Sequence, residues 1–203
     1  MSRLERLKAV QRQPGEASFF WYETQLGCEA VKVLPGEYFV ASQELLIMTT
    51  LGSCVAACLW DSQAGVGGLN HFMLPQGQGA SGRYGSYAME RLINELLKRG
   101  ASRGSLEAKV FGGARVIAGA GSLHVGERNT AFVLDYLRTE RIPVVGKDVL
   151  DVCPRKVCFM PATGKAMVRR LALTRADELL AQERKAVQQA AREAAGGGSV
   201  DQF

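Results

Sequence analysis

An α+β fold with largely antiparallel strands is what this 203-residue chain predicts, on three observations. Short apolar runs, residues 55–60 and 66–73 above all, are joined by a tight polar turn, Asp61-Ser62-Gln63-Ala64, with Gly65 suited to a positive φ. Met89, Leu92, Ile93, Leu96 and Leu97 recur at the spacing of one helix face. Strands and helices are interspersed along the chain and hairpins are prominent, which places helices against antiparallel sheets. No internal repeat is visible.

Taken in order, residues 1–13 have helical spacing on Leu4, Leu7 and Val10, stopped by Pro14-Gly15, and read as a frayed or loosely docked arm. FFWYE at 19–23 is a dense aromatic cluster expected to pack on the domain. The globular part begins near Val31. VKVLPGEYFVA has strand-like segments around Pro35-Gly36, and LLIMTT feeds into the central hairpin. After Pro75, QGQGASGRYGS lacks the Lys-Ser/Thr ending of a phosphate-binding loop and reads as a surface loop. Gly100 is placed to stop the helix built on Met89 to Leu97. Residues 106–111 form a strand entering Gly112-Gly113. Gly126-Glu127-Arg128-Asn129 leads into a second helix, with Asn129 as its N-cap and Val133, Tyr136 and Leu137 facing inward. A short strand at 142–145 precedes a hairpin of 157–160 and 166–171 across Ala162-Thr163-Gly164-Lys165. Thr174 with Asp177 opens an Ala-, Gln-, Arg- and Glu-rich helix. The organisation expected is an N-terminal extension at 1–30, a domain at 31–173, a C-terminal helix at 174–195 and a disordered tail at 196–203.

Composition narrows the function. Apolar residues make up 47% and charged residues 22%, typical of a water-soluble globular protein. No window approaches the roughly 18 consecutive apolar residues of a membrane span. The charged start MSRLERLKAV lacks a signal-peptide core, so a cytoplasmic protein without membrane insertion is expected. The net charge of +5 suits an acidic partner, yet Lys and Arg are dispersed, and nucleic acid is not expected. Five cysteines are odd in number and read as reduced thiols. Two histidines and no tight CxxC pair argue against zinc, and nothing calls for another metal or an organic cofactor.

The chemistry concentrates in the central hairpin. A turn centred on Ser62-Gln63 sets Cys54 opposite His71, with Cβ atoms about 4.5–5.5 Å apart; a one-residue change in loop length makes them diagonal neighbours. A thiol beside an imidazole is the minimum for a nucleophile with its own base. A cysteine with a pKa near ~8.5 needs a nearby cation to ionise. His71 as imidazolium supplies it and then protonates a leaving group, assistance that contributes about 10²–10⁴-fold. Gly52-Ser53 allows a sharp turn, and N–H groups around Cys54 can face an oxyanion. Thr49 or Thr50 can orient the imidazole. Against this stands the ordinary state of a cysteine on an apolar strand, buried and inert. Cys58 shares the face of Cys54 but lies roughly 13 Å along the strand, too far for a disulfide. His124 reads as a surface residue, and Cys153 and Cys158 as structural.

LGSCVAACLWD followed by VGGLNHFMLP at this spacing resembles the CheD family, with KVFGGA at 109–114, VGERN at 125–129 and the late strand pair in support. The resemblance covers roughly 31–171. It implies a layered α/β sandwich related to the catalytic domains of deamidating toxins, and a Cys-His-Thr site with Cys54 as nucleophile and His71 as base. Thr49 is favoured over Thr50 for the third position. The implied activity is protein-glutamine deamidation of methyl-accepting chemotaxis receptors in their cytoplasmic helical region, by a thioester route and without cofactor. Methyl-ester hydrolysis would use the same intermediate. A CheC-type phosphatase is an implied partner, and the free protein is expected as a monomer. The alternative is an adaptor that regulates by binding receptor or CheC-type protein without catalysis. DVLDVCPRK at 148–156 departs from the family, which commonly has an Asp followed by Gly-Gly before an Arg.

Overall fold

A computed structural model describes residues 1–77, 81–115 and 125–172, together with 181 and 185. The predicted His124, the C-terminal helix and the tail lie outside the described residues, residues 181 and 185 apart. Ten strands and three α-helices are found among the described residues: α1 (Arg3–Ala9), β1 (Phe19–Glu23), β2 (Cys28–Lys32), β3 (Tyr38–Ala41), β4 (Leu46–Leu51), β5 (Val55–Asp61), β6 (Val66–Asn70), α2 (Gly85–Lys98), β7 (Leu106–Gly112), α3 (Val125–Thr139), β8 (Val144–Val149), β9 (Arg155–Met160) and β10 (Lys165–Arg170). They form two five-stranded sheets, β1-β2-β4-β9-β10 and β3-β6-β5-β7-β8. Each is antiparallel except for one parallel pair, β2 with β4 and β7 with β8. The α+β architecture expected from the sequence is the one observed.

Three layers follow from the side-chain alternation. Ile47, Leu51, Val157 and Phe159 of the first sheet meet Phe39, Ala56, Cys58, Leu69 and Phe111 of the second in one core. The opposite face of the second sheet presents Val40, Val55, Ala57, Leu59 and Val110 to α2 and α3. From α2, Met89, Leu92, Ile93 and Leu96 are fully buried there, each worth about 1.5–3 kcal/mol of transfer free energy. The helix stops where Gly100 predicts: the Gly100 N–H donates to Leu97 O and the Ala101 N–H to Leu96 O, a Schellman closure.

Three local expectations are corrected. The N-terminal residues are no loose arm. Ser2 and Glu5 form a reciprocal capping box, Leu4 and Leu7 pack on the inter-sheet core, and the Arg12 guanidinium stands 4.6 Å from the Phe20 ring centre while paired with Glu16 at 3.0 Å. β1 pairs along its whole length with β2, so the strand containing FFWYE is an edge of the first sheet and the division expected at 30/31 falls inside β2. The strand expected at 142–145 is displaced to β8, held in parallel against β7.

Candidate active site

The central hairpin has a longer loop than a turn centred on Ser62-Gln63 allows. Asp61 faces Val66 and Cys58 faces Leu69, leaving residues 62–65 as the loop, with Gly65 at φ 62°. The reason is Asp61. Its Oδ1 accepts the N–H groups of Gln63 and Ala64, and its Oδ2 accepts the Ser102 N–H and the Ser105 hydroxyl. That carboxylate staples a four-residue loop in place of the tighter turn. Continuing the register, Val55 bridges Phe72, and Cys54 and His71 become diagonal neighbours rather than a facing pair.

β6 also ends earlier than residue 73. Beyond Asn70 the second sheet is opened by a side chain: the Ala57 N–H donates to Asn70 Oδ1. His71 is anchored instead on its other side, where its N–H donates to Glu37 O at 3.0 Å and its carbonyl accepts the Gly36 N–H at 2.7 Å. LLIMTT does precede the hairpin, but as β4 it belongs to the first sheet, while β5 belongs to the second. Gly52-Ser53-Cys54 is therefore the bend by which the chain crosses between sheets. Cys54, Leu69 and Met73 all face the inter-sheet core, and so does the parity of His71.

Thr49 reaches the same space from the first sheet, flanked by the inward-facing Ile47 and Leu51. Its Oγ1 lies 2.9 Å from His71 Nδ1 and 2.8 Å from the Val33 carbonyl. A carbonyl only accepts and a hydroxyl has one hydrogen, so Thr49 donates to Val33 and its lone pair receives the Nδ1 hydrogen. This fixes the neutral tautomer with a bare Nε2. That atom is buried and has no hydrogen-bond partner among the described residues. Thr50 faces the other way, into a groove with Phe19, Trp21 and Lys32.

Burial decides the charge state. His71 is 1% exposed and Cys54 0%. Loss of hydration pushes the His71 pKa down to about 4, although the Val33 carbonyl beside it works the other way. The imidazolium expected from the sequence is thus replaced at neutral pH by a neutral base, and the closed site has no hydrogen bond from a thiol to Nε2. Cys58, equally buried on the same face, has its thiol pKa raised by burial, against the opposing charge of Lys109. All five cysteines stand as thiols.

Behind Cys54 the two glycines of KVFGGA permit a close approach. The Gly113 N–H donates to Cys54 O and the Ala114 N–H to Gly52 O, both at 2.8 Å. A Cβ on Gly112, at φ 108°, would lie 2.2 Å from Cys54 O, and one on Gly113 would lie 2.2 Å from Thr130 Oγ1. Arg155, fully buried, holds this strand end to the 148–153 loop: it donates to Asp148 Oδ1 at 2.7 Å and to the carbonyls of Gly112, Leu150 and Cys153. Burial alone would raise the Asp148 pKa; hydrogen bonds from Arg155 and Arg170 hold it below its ordinary value.

Sequence reasoning missed Asn129 as part of this neighbourhood. α3 begins at Val125, so Asn129 is no cap but a fully buried residue of the second turn. Its Nδ2 donates to Ser53 O at 3.1 Å and to Met73 O at 2.8 Å.

The family model described as CheD chemotactic sensory transduction matches residues 73–170, a span that begins just after His71. A probable chemoreceptor glutamine deamidase CheD 1 of Albidiferax ferrireducens is 60% identical over 205 residues, covering 100% of this chain and 88% of that protein. A similarly named protein of Dechloromonas aromatica is 55% identical, covering 80% of this chain and 84% of its own. The CheD protein of Methylobacillus flagellatus is 49% identical, covering 82% and 86%. Among solved structures, the hypothetical protein YfiH of Bacillus licheniformis overlaps 57% of this chain and 49% of its own at a TM-score of 0.35 and 12% identity, too slight to bear on the argument. On the whole-length identity to the first of these relatives, the chain belongs to the CheD family.

Proposed function

We propose that this protein is a glutamine deamidase of chemotaxis receptors, with Cys54 as nucleophile, His71 as general base and acid, and Thr49 as the group that orients His71. The observation that carries the assignment is the Thr49–His71 contact, which leaves Nε2 unprotonated in the same inter-sheet space as the Cys54 side chain. The names of the relatives support the substrate class.

The Cys54 sulfur attacks the carboxamide carbon of a receptor glutamine as its proton passes to His71 Nε2. The C–N bond then breaks, and ammonia leaves with the proton from Nε2. A water gives a proton to Nε2 as its oxygen adds to the thioester carbon, the C–S bond breaks, and the proton returns to sulfur. Net, glutamine and water give glutamate and ammonium, the new carboxylic acid losing its proton to the ammonia, which adds a negative charge to the receptor. Because the base rests neutral, the proton transfer belongs to the attack itself, and contacts that are loose in the empty site tighten with substrate. The substrate is the helical cytoplasmic region of a methyl-accepting receptor, the setting is the cytoplasm, and the free protein acts as a monomer. No helix among the described residues is long and apolar enough to cross a membrane.

A second reading has its own observation: both Cys54 and His71 are sealed from solvent, as in a protein that regulates by docking on receptor or on a CheC-type phosphatase. Cys54→Ala separates the two. Mass spectrometry of receptor incubated with that variant should lose the Gln-to-Glu change while receptor capture persists. Continued deamidation by Cys54→Ala removes the nucleophile assignment, and absence of deamidation by the unmodified protein leaves the docking reading.

A further inference from the structure

We infer that Asn129 is a positioning residue of the site, an amide strut that holds the nucleophile bend and the segment after His71 in one frame; this rests on the deamidase reading above. Its two Nδ2 hydrogens go to two different pieces of chain. One reaches the carbonyl of Ser53, the residue before the nucleophile, at 3.1 Å; the other reaches the carbonyl of Met73, two residues after the base, at 2.8 Å. Backbone pairing joins the two segments at Val55 and Phe72, whose N–H groups donate to each other's carbonyls at 3.1 and 3.0 Å, and the strut adds a side-chain connection next to that pair. β6 ends at Asn70, and between there and the Val55–Phe72 bridge the two segments are joined by the side chain of Asn70. Both carbonyls are otherwise set by bends rather than by strand pairing.

The strut is itself held rigidly. The N-terminal turn of α3 lies on the Gly113 backbone, where a Cβ on Gly126 would stand 2.3 Å from Gly113 O, and the Thr130 hydroxyl donates to Gly126 O at 2.8 Å. Gly113 in turn donates to Cys54 O. Helix, nucleophile bend and histidine segment thus close a ring of contacts with Asn129 across it. The amide cannot be turned over, because its oxygen would then face two carbonyls. Its Oδ1 has no hydrogen-bond partner among the described residues although the residue is 0% exposed. Leaving a buried acceptor unmatched costs about 1–3 kcal/mol.

The test measures geometry as well as rate. Asn129→Ala should lower kcat for receptor deamidation about 10²-fold with KM within about threefold, the effect of misplacing a reacting group rather than of losing substrate contacts. Iodoacetamide labelling of the Cys54 peptide, followed by mass spectrometry across pH, should give a midpoint displaced from that of the unmodified protein. Asn129→Ser, which can donate to one carbonyl, should fall between. If kcat per folded molecule and the labelling midpoint both stay unchanged while only the unfolding midpoint drops, Asn129 is a structural residue and the inference fails. Should both variants be too unstable to assay, the side-chain amide resonances of Asn129 in the unmodified protein decide: both should move when Cys54 is alkylated, and static resonances overturn the inference. The deamidase reading fails separately, through absence of receptor deamidation by the unmodified protein.

Discussion

The two ends of the β5–β6 hairpin use buried polar groups in opposite ways. At the turn end, Asp61 is 1% exposed and both its oxygens are occupied, by two loop N–H groups and by Ser102 and Ser105. At the open end, His71 Nε2 and Asn129 Oδ1 are equally buried acceptors with nothing to accept among the described residues. The third such atom, Trp60 Nε1, is an indole donor whose ring packs on Gly164. A satisfied polar group contributes to stability, whereas an unsatisfied acceptor is costly to bury and is kept where a donor is to arrive. A thiol, a water and a carboxamide all bring one. The hairpin therefore separates structural chemistry from reaction chemistry along its length.

The contrast is sharpest in paired substitutions. His71→Ala should reduce deamidation by about 10²–10⁴-fold, measured as ammonia release, with the fold retained by circular dichroism. Asp61→Ala should do the reverse. Four donors lose their acceptor, so urea unfolding should show a loss of about 2–4 kcal/mol, while kcat per folded molecule stays within about twofold. Large kinetic damage from the turn end, or none from the open end, would dissolve the distinction.

Next in size is a pH effect that belongs to the open end alone. The folded pKa of His71 is depressed to about 4 from 6.5, so the unfolded chain binds the proton more tightly. The stability this neutral imidazole provides is complete above pH 6.5 and is lost as pH falls toward 4. Between pH 7 and pH 5 the loss should be about 2 kcal/mol, absent in His71→Gln. Burial alone would raise the Asp61 pKa, but its hydrogen bonds to Ser105, Ser102, Ala64 and Gln63 hold it below 3.8. Its contribution disappears only in the more acidic range, so the two ends can be titrated apart. By the same token the acid limb of kcat/KM should lie near 4 rather than near 6.5.

These distinctions mark how far the sequence could be read. Periodicity sufficed for α2 and its stop, and for the alternation that puts Cys54 and Cys58 on one face, because both follow from local geometry. Thr49 against Thr50 was not decidable from strand parity, since the chain changes sheets at Gly52-Ser53-Cys54. A step between sheets leaves no periodic signal. The register of the hairpin was missed because a side chain, Asp61, sets the loop length. An Asn near a helix start normally caps it, but the burial of Asn129 depends on the Gly113–Gly126 approach, which no local pattern encodes.

The smallest prediction concerns backbone strain beside the open end. At the turn end the left-handed position is filled by Gly65, around which a Cβ would meet open space. Beside the site the corresponding positions are filled by Leu150 at φ 65° and Asp151 at φ 73°. A non-glycine residue there costs roughly 1–2 kcal/mol, and glycine returns part of that gain through the entropy of the unfolded chain. Leu150 is 39% exposed, so little packing is lost on removing it. Leu150→Gly should therefore stabilise the protein by about 0.5–1 kcal/mol in urea unfolding. Asp151→Gly should gain less, because Asp151 Oδ2 pairs with Arg170 at 3.2 Å and its Oδ1 accepts the Val152 N–H. Gly65→Ala should lose about 1 kcal/mol, the reverse sign at the other end. The Leu150 N–H donates to Gly112 O, one residue from the backbone that holds Cys54. A change in kcat beyond about threefold in Leu150→Gly would place this strain within the reaction chemistry of the open end; an unchanged kcat with raised stability confines the site to the groups that meet between the sheets.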